Sequence, residues 1–236
     1  MKKIIHKGDE RGIQNHGWLK AAHSFSFGNY HDPMKVHFGL LRVLNDDIVA
    51  PGMGFGTHSH DNMEIVTIPL KGSLAHKDSL GSEGTISANE VQIMSAGSGI
   101  KHSEFNASAT EKVNLLQLWV FPKLRNIEPR YDQKQFDDFS FDNKFQAVVS
   151  PDQVDGSMWI NQNAVFSLGN FDQGATAEYK LKFAGNGAYV FLIEGKIELD
   201  GETMAKRDAI GVYDTETFEL AFLENSKVLI IEVPMK

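Results

Sequence analysis

The chain has 236 residues, 42% of them hydrophobic, and a formal net charge of −8. That length supports one large domain or two small ones around a buried core, while the acidic balance excludes the basic footprint that direct nucleic-acid binding requires. With no cysteine, disulfides, thiolate zinc sites and thiol nucleophiles are excluded, so any metal is held by nitrogen and oxygen.

The first segment, MKKIIHKGDERG, has two lysines but no apolar stretch or small-residue cleavage site, and no later run approaches eighteen apolar residues. A soluble, cytoplasmic protein with no membrane contact is the expectation. His23 and Phe25, in AAHSFSF, share one face if the backbone is extended and read as core or rim packing. KVHFGLLRVL follows as the first strongly strand-like run, short and rich in Val, Leu and Phe. Next comes GMGFGTHSHDNMEI, in which glycines at 52, 54 and 56 precede His58 and His60, and then MEIVTIPL. His76 in LAHKDS reads as structural. VQIMSA, then GSGIKHSEFN with His102 and Glu104, then VNLLQLWVF complete the first half.

After Pro122 the stretch KLRNIEPRYDQKQFDDFSFDNKF turns polar, carries Pro129 and shows no sustained strand pattern, so it reads as a connector between domains 1–124 and 125–236. Beyond it, AYVFLIEG and VLIIEVP are again strands. No window of a dozen residues carries a helical apolar stripe, and many short strands separated by turn residues indicate barrels or sandwiches. An internal repeat sets EIVTIPLKGSLAHKD over AYVFLIEGKIELDG, with Gly72 over Gly195, and LLQLWVFP over VLIIEVP. Extended backwards without gaps, it puts Leu181 at His58 and Phe183 at His60. Two similar barrels are expected, with the second plugged by apolar side chains.

All nine histidines lie between His6 and His102, so metal chemistry belongs to the first half. On a strand, His58 and His60 project from one face with Cα atoms roughly 6 to 7 Å apart. His102 and Glu104 repeat that spacing, and two neighbouring strands would converge three nitrogens and one oxygen on one ion. The donor set suits one divalent transition metal per chain, with iron(II) expected and zinc, manganese, nickel, cobalt or copper as alternatives. A tetrahedral zinc that only staples two strands is equally compatible with the spacing.

These residues resemble the pirin family of the cupin superfamily. The first cupin motif, G-x5-HxH-x3-E-x6-G, is met by Gly52, His58, His60 and Glu64, with Gly72 one residue late; the second is met by Gly99, His102 and Asn106, with Gly97 replacing its proline. NHGWLKAAHSFSFGNYHDP and THSHDNMEIVTIPLKG are similar to pirins as well, so the likeness covers most of residues 10 to 125 and is weaker in the second half. It implies an all-β bicupin of two jelly-roll-like barrels, with Glu104 as the carboxylate ligand and Glu64 orienting a ligand histidine.

For bacterial members the resemblance implies quercetin 2,3-dioxygenase activity, with a flavonol and dioxygen as substrates; on that reading Glu104, ligating loosely, is the candidate base for the flavonol's 3-hydroxyl proton. For mammalian members it implies a nuclear module that docks on a partner protein according to metal redox state. No cluster of five to eight Lys or Arg is present, which favours the enzyme. A monomer is expected. Phe55 and Met94 are candidates for the cavity mouth, while Trp18, Trp119 and Trp159 read as packing. His6, His16, His31 and His37 receive no role.

Overall fold

The computed structural model describes residues 1–137 and 141–236; residues 138–140, within the expected connector, lie outside the described residues. The described residues carry strands β1 to β21, numbered in chain order, and only short 3₁₀ turns as helix. One antiparallel sheet runs β12 (Arg130–Gln135), β9 (Glu90–Ser95), β6 (Glu64–Lys71), β11 (Val113–Val120), β4 (Leu41–Val49), β3 (Leu19–His23), β2 (Gly12–Asn15). With the four-stranded sheet β5 (Gly54–His60), β10 (Ile100–Asn106), β7 (Ser73–Asp78), β8 (Glu83–Ser87) it makes the first barrel. The second combines β1 (Lys2–His6), β19 (Ala209–Tyr213), β16 (Asn186–Glu194), β21 (Ser226–Pro234), β14 (Val165–Phe171), β13 (Gln146–Val149) with β15 (Thr176–Lys180), β20 (Thr217–Phe222), β17 (Lys196–Leu199), β18 (Glu202–Ala205). No described helix is long and apolar enough to cross a membrane.

The repeat in the sequence is a repeat in space. The order β9-β6-β11-β4 recurs ten strands later as β19-β16-β21-β14, and β5-β10-β7-β8 as β15-β20-β17-β18. Gly72 and Gly195 turn the same corner, after β6 and after β16, with φ of 77° and 93°. That left-handed backbone favours glycine over any residue with a Cβ.

The outer edges are exchanged. β1, from the start of the chain, pairs with β19 of the second barrel, and β12, from the expected connector, pairs with β9 of the first. The connector reading therefore fails over Arg130–Gln135. Its six residues are polar because they form an edge strand with mostly half-buried side chains, a position that lacks the apolar alternation of a central strand.

The two barrels differ in what fills them. Ala188, Val190, Leu192, Ile210, Leu220, Phe222, Val228 and Ile230 belong to one continuous apolar cluster inside the second, where the Phe171 and Phe222 rings stack at 4.0 Å. Inside the first, apolar residues form two small groups, around Leu74 and Leu115 and around Ile65 and Met94. A third cluster, the largest, lies between the barrels and draws Val66, Leu116 and Leu118 from one half and Phe166, Tyr189 and Ile231 from the other.

The plug differs from the ungapped alignment. Leu181 sits just past the end of β15 and packs on the second core, as expected, whereas Phe183 lies between strands and is only half-buried. Tyr179 of β15 and Phe218 of β20 fill the interior instead. The loop between β15 and β16 shifts the inward positions, which an alignment without gaps does not register.

Candidate metal centre

Between the two small apolar groups of the first barrel lies a row of polar side chains fixed by strand register. His23 stands opposite Asn45, Asn45 opposite Gln117, Gln117 opposite Thr67, and Thr67 opposite Gln92, across five adjacent strands. In the second barrel Val190, five residues before Gly195 as Thr67 is five before Gly72, has Ile210 and Ile230 as neighbours and Ser167 beyond. The same rung is polar in one barrel and mostly aliphatic in the other.

The opposing sheet supplies the histidines. His58 and His60 alternate along β5, and β10 sets His102 directly opposite His58. The ring centroids lie 4.8 Å (His58–His60), 4.4 Å (His58–His102) and 4.9 Å (His60–His102) apart, and one nitrogen from each ring falls within 4.8 Å of the others. A register shift between His102 and Glu104 sets Glu104 opposite Phe55 on β5, while the regular pairing with β7 sets it opposite His76. Glu104 consequently joins a second set, with His76 and His102, whose ligand atoms are also within 4.8 Å. His102 belongs to both.

Burial, reinforced by the neighbouring imidazoles, pushes His102 down to about 3; burial and His58 push His60 down to about 4. Both rings are neutral at physiological pH and keep the lone pairs that a metal requires. His58 Nδ1 lies 2.9 Å from Gly56 O, which can only accept, so this ring carries its proton on Nδ1 and offers Nε2. Burial pushes Glu104 up, and Gln117, whose Nε2 donates to Glu104 Oε2 at 2.8 Å, works against that. Gln117 in turn accepts from Trp119 Nε1 at 3.3 Å, so the carboxylate is held through two side chains.

Both nitrogens of His102 and Glu104 Oε1 are buried without a partner. Such atoms cost about 1–3 kcal/mol each when left unsatisfied. Neutral imidazoles and a carboxylate around that deficit fit a first-row divalent cation.

Above the site opens a cavity of about 480 Å³, whose wall includes His58, His60, Glu104, Gln117, Trp18, Phe27, Phe55 and Trp119. Phe55 is at the cavity as expected, but Met94 is fully buried in the Ile65 group and does not reach it. Trp18 meets Phe55 edge-on at 5.3 Å and Trp119 meets His60 at 4.9 Å, so two of the three tryptophans line the cavity and do more than pack. The third, Trp159, stacks under Arg130. His76 is buried with Nε2 3.2 Å from Asp78 Oδ2 and its ring stacked on Tyr131 at 4.6 Å.

Glu64 does not orient a ligand histidine. Its Oε2 accepts from Ser95 Oγ at 2.8 Å and from the Asn161 backbone N–H at 3.1 Å, tying the first barrel to the segment that enters the second. Burial pushes this carboxyl up to about 7. A folded value above the unfolded one means that stability falls as pH rises from about 4.5 to 7. Glu64→Gln, which keeps an acceptor for both donors, is expected to flatten that loss. At pH 8 and equal metal loading it should gain up to about 3 kcal/mol over the parent in urea unfolding relative to pH 4. An identical pH slope in both proteins would show that Glu64 does not titrate this way.

Residues 6–120 match the family described as Pirin, and residues 147–233 match the family described as Quercetinase C-terminal cupin domain. The chain is 38% identical over 230 residues to the quercetin 2,3-dioxygenase of Escherichia coli strain K12, covering 98% of both. It is 36% identical over 226 residues to a pirin-like protein of Caulobacter vibrioides, covering 95% of this chain and 96% of that one. Among solved structures, YhhW from Escherichia coli superposes with a TM-score of 0.94 at 37% identity, covering 99% of this chain and 98% of that one. The same bacterial pirin in complex with nickel(II) superposes with a TM-score of 0.93 at 37% identity, covering 99% of each chain.

Proposed function

From the premise that the chain belongs to the pirin family, we propose that it is a metal-dependent dioxygenase that cleaves a flavonol such as quercetin with dioxygen. The observation that carries this reading is the group of converging imidazoles and the unpartnered Glu104 oxygen at the base of an aromatic-walled cavity. The relatives' names add the reaction class, and the nickel complex of the Escherichia coli pirin adds that this scaffold takes a divalent ion.

His58, His60, His102 and Glu104 would hold the ion, iron(II) or nickel(II), which supplies Lewis acidity and a redox partner for dioxygen. Trp18, Phe55 and Trp119 give flat apolar walls for a fused aromatic ligand and keep water from it. Glu104 Oε1 would ligate loosely and give up the ion to the three imidazoles when it takes the proton of the substrate's 3-hydroxyl, while Gln117 holds Oε2 in place.

The test is aerobic bleaching of quercetin's visible absorbance by protein stripped of metal and then reloaded with iron, nickel or copper. Turnover that appears only on reloading is the expected result. No metal-dependent turnover with any flavonol would remove the proposal.

A further inference from the structure

We propose that Asp47 and His23 form a hydroxyl-binding subsite on the cavity wall across the barrel from the imidazoles, selecting ligands that carry several phenolic hydroxyls. The inference deepens the flavonol reading and rests on it for the ligand class.

Asp47 and Asn45 alternate on the inner face of β4, and His23 sits beside Asn45 on β3. All three line the cavity, and all are nearly inaccessible to bulk solvent, at 4%, 3% and 2% exposure. His23 Nδ1 lies 2.7 Å from Asn45 Oδ1, an atom that only accepts. The proton of the ring is therefore on Nδ1, and Nε2 is a bare acceptor with no partner. Asp47 Oδ1 is likewise buried and unpartnered. The cations nearby do not answer it: Arg207 and Arg11 reach Asp46, on the opposite face of β4, at 2.7 and 3.6 Å.

The second barrel closes without either group: Gly169 stands at the position that matches Asp47, and Ala147, opposite Ser167, at the position that matches His23. Their orphaned atoms point to a ligand. Among the described residues lining the cavity, the buried atoms without partners are His23 Nε2, Asp47 Oδ1 and Glu104 Oε1. All three can accept; burial, with Asp46 beside it, pushes the Asp47 carboxyl up to about 7, so Asp47 accepts fully above that pH. Hydroxyl donors on an aromatic frame match both the polar wall and the tryptophans.

The experiment compares quercetin with 3-hydroxyflavone, which keeps the 3-hydroxyl and lacks the others, in anaerobic titrations of the metal-loaded protein followed by tryptophan fluorescence. A site built to hydrogen-bond a hydroxyl discriminates strongly against the analogue lacking it, so the parent should favour quercetin by at least about tenfold. Asp47→Asn and His23→Phe should each cut that ratio by about fivefold or more, through quercetin's affinity alone. Asp47→Asn is nearly isosteric, and His23→Phe supplies an independent variant should either fold poorly.

A parent ratio near one, or a ratio that both variants leave intact, overturns the subsite whether or not quercetin is turned over. A ratio that collapses in the variants when no flavonol is turned over sustains the subsite and overturns the reaction. Failure of both flavonols to bind the parent overturns both.

Discussion

His102→Ala is expected to empty the metal centre while both barrels stay folded. His102 is shared by the His58–His60 set and the His76–Glu104 set, so no complete trio survives its loss. Its two ring nitrogens make no hydrogen bond that holds the fold together. The parent should carry one ion per chain in native mass spectra after saturation and gel filtration. His102→Ala should carry none, with an affinity reduced by more than about a hundredfold, since even outer groups that only orient a ligand are worth 10–100-fold. His58→Ala should act in the same direction. One ion per chain retained in both variants would refute the ligand assignment, and an ion lodged within the second barrel would refute the reading of its interior as packed.

The largest effect on stability is expected at Tyr189. Its ring is fully buried between the barrels, with centroids 5.4 Å from Phe25, 5.5 Å from Phe38 and 5.8 Å from His6. Phe38 in turn lies so close to Gly187 and Gly211 that a Cβ on either would collide with its ring. Tyr189→Ala should therefore cost about 3–5 kcal/mol, as for other large aromatic truncations, and lower Tm by roughly 10 °C in a chain of this size. Tyr189→Phe keeps the ring and removes the hydroxyl with its 2.8 Å bond to His6 Nδ1, and should cost about 1 kcal/mol. Calorimetry on the two variants separates ring packing from the hydrogen bond. Equal losses would place the effect in the hydroxyl alone.

The pairs His58–His60 and His102–Glu104 were legible because period-two alternation is a local property of a strand. That they face one another could be guessed from their chemistry, but neither the register shift that sets Glu104 opposite Phe55 nor the pairing with β7 that brings in His76 could, since both depend on the partner strand. The polar rung was harder still. Asn45, Gln117, Thr67 and Gln92 each sit singly among apolar neighbours, and they become one feature only when four distant strands align. An unexpected polar residue at an inward position of an apolar strand, as in LLQLW, was the one available signal. Glu64 matched a motif position and still does different work, because its donors are Ser95 Oγ and the backbone N–H of residue 161 from beyond its own barrel, not a ligand histidine.

The exchanged edge strands also govern the order in which the molecule can be finished during synthesis. Lys2–His6 leaves the ribosome long before Ala209–Tyr213 and waits for it, so the second barrel closes only when these two distant segments meet. The entropic toll of so long a closure grows only logarithmically with length, yet until then the β19 edge stands bare. Severing the chain at 124/125 would make that exposure permanent on both sides, stripping β1 from β19 and β12 from β9. Each fragment would then present an open row of amides and carbonyls to any extended peptide, its severed counterpart first among them.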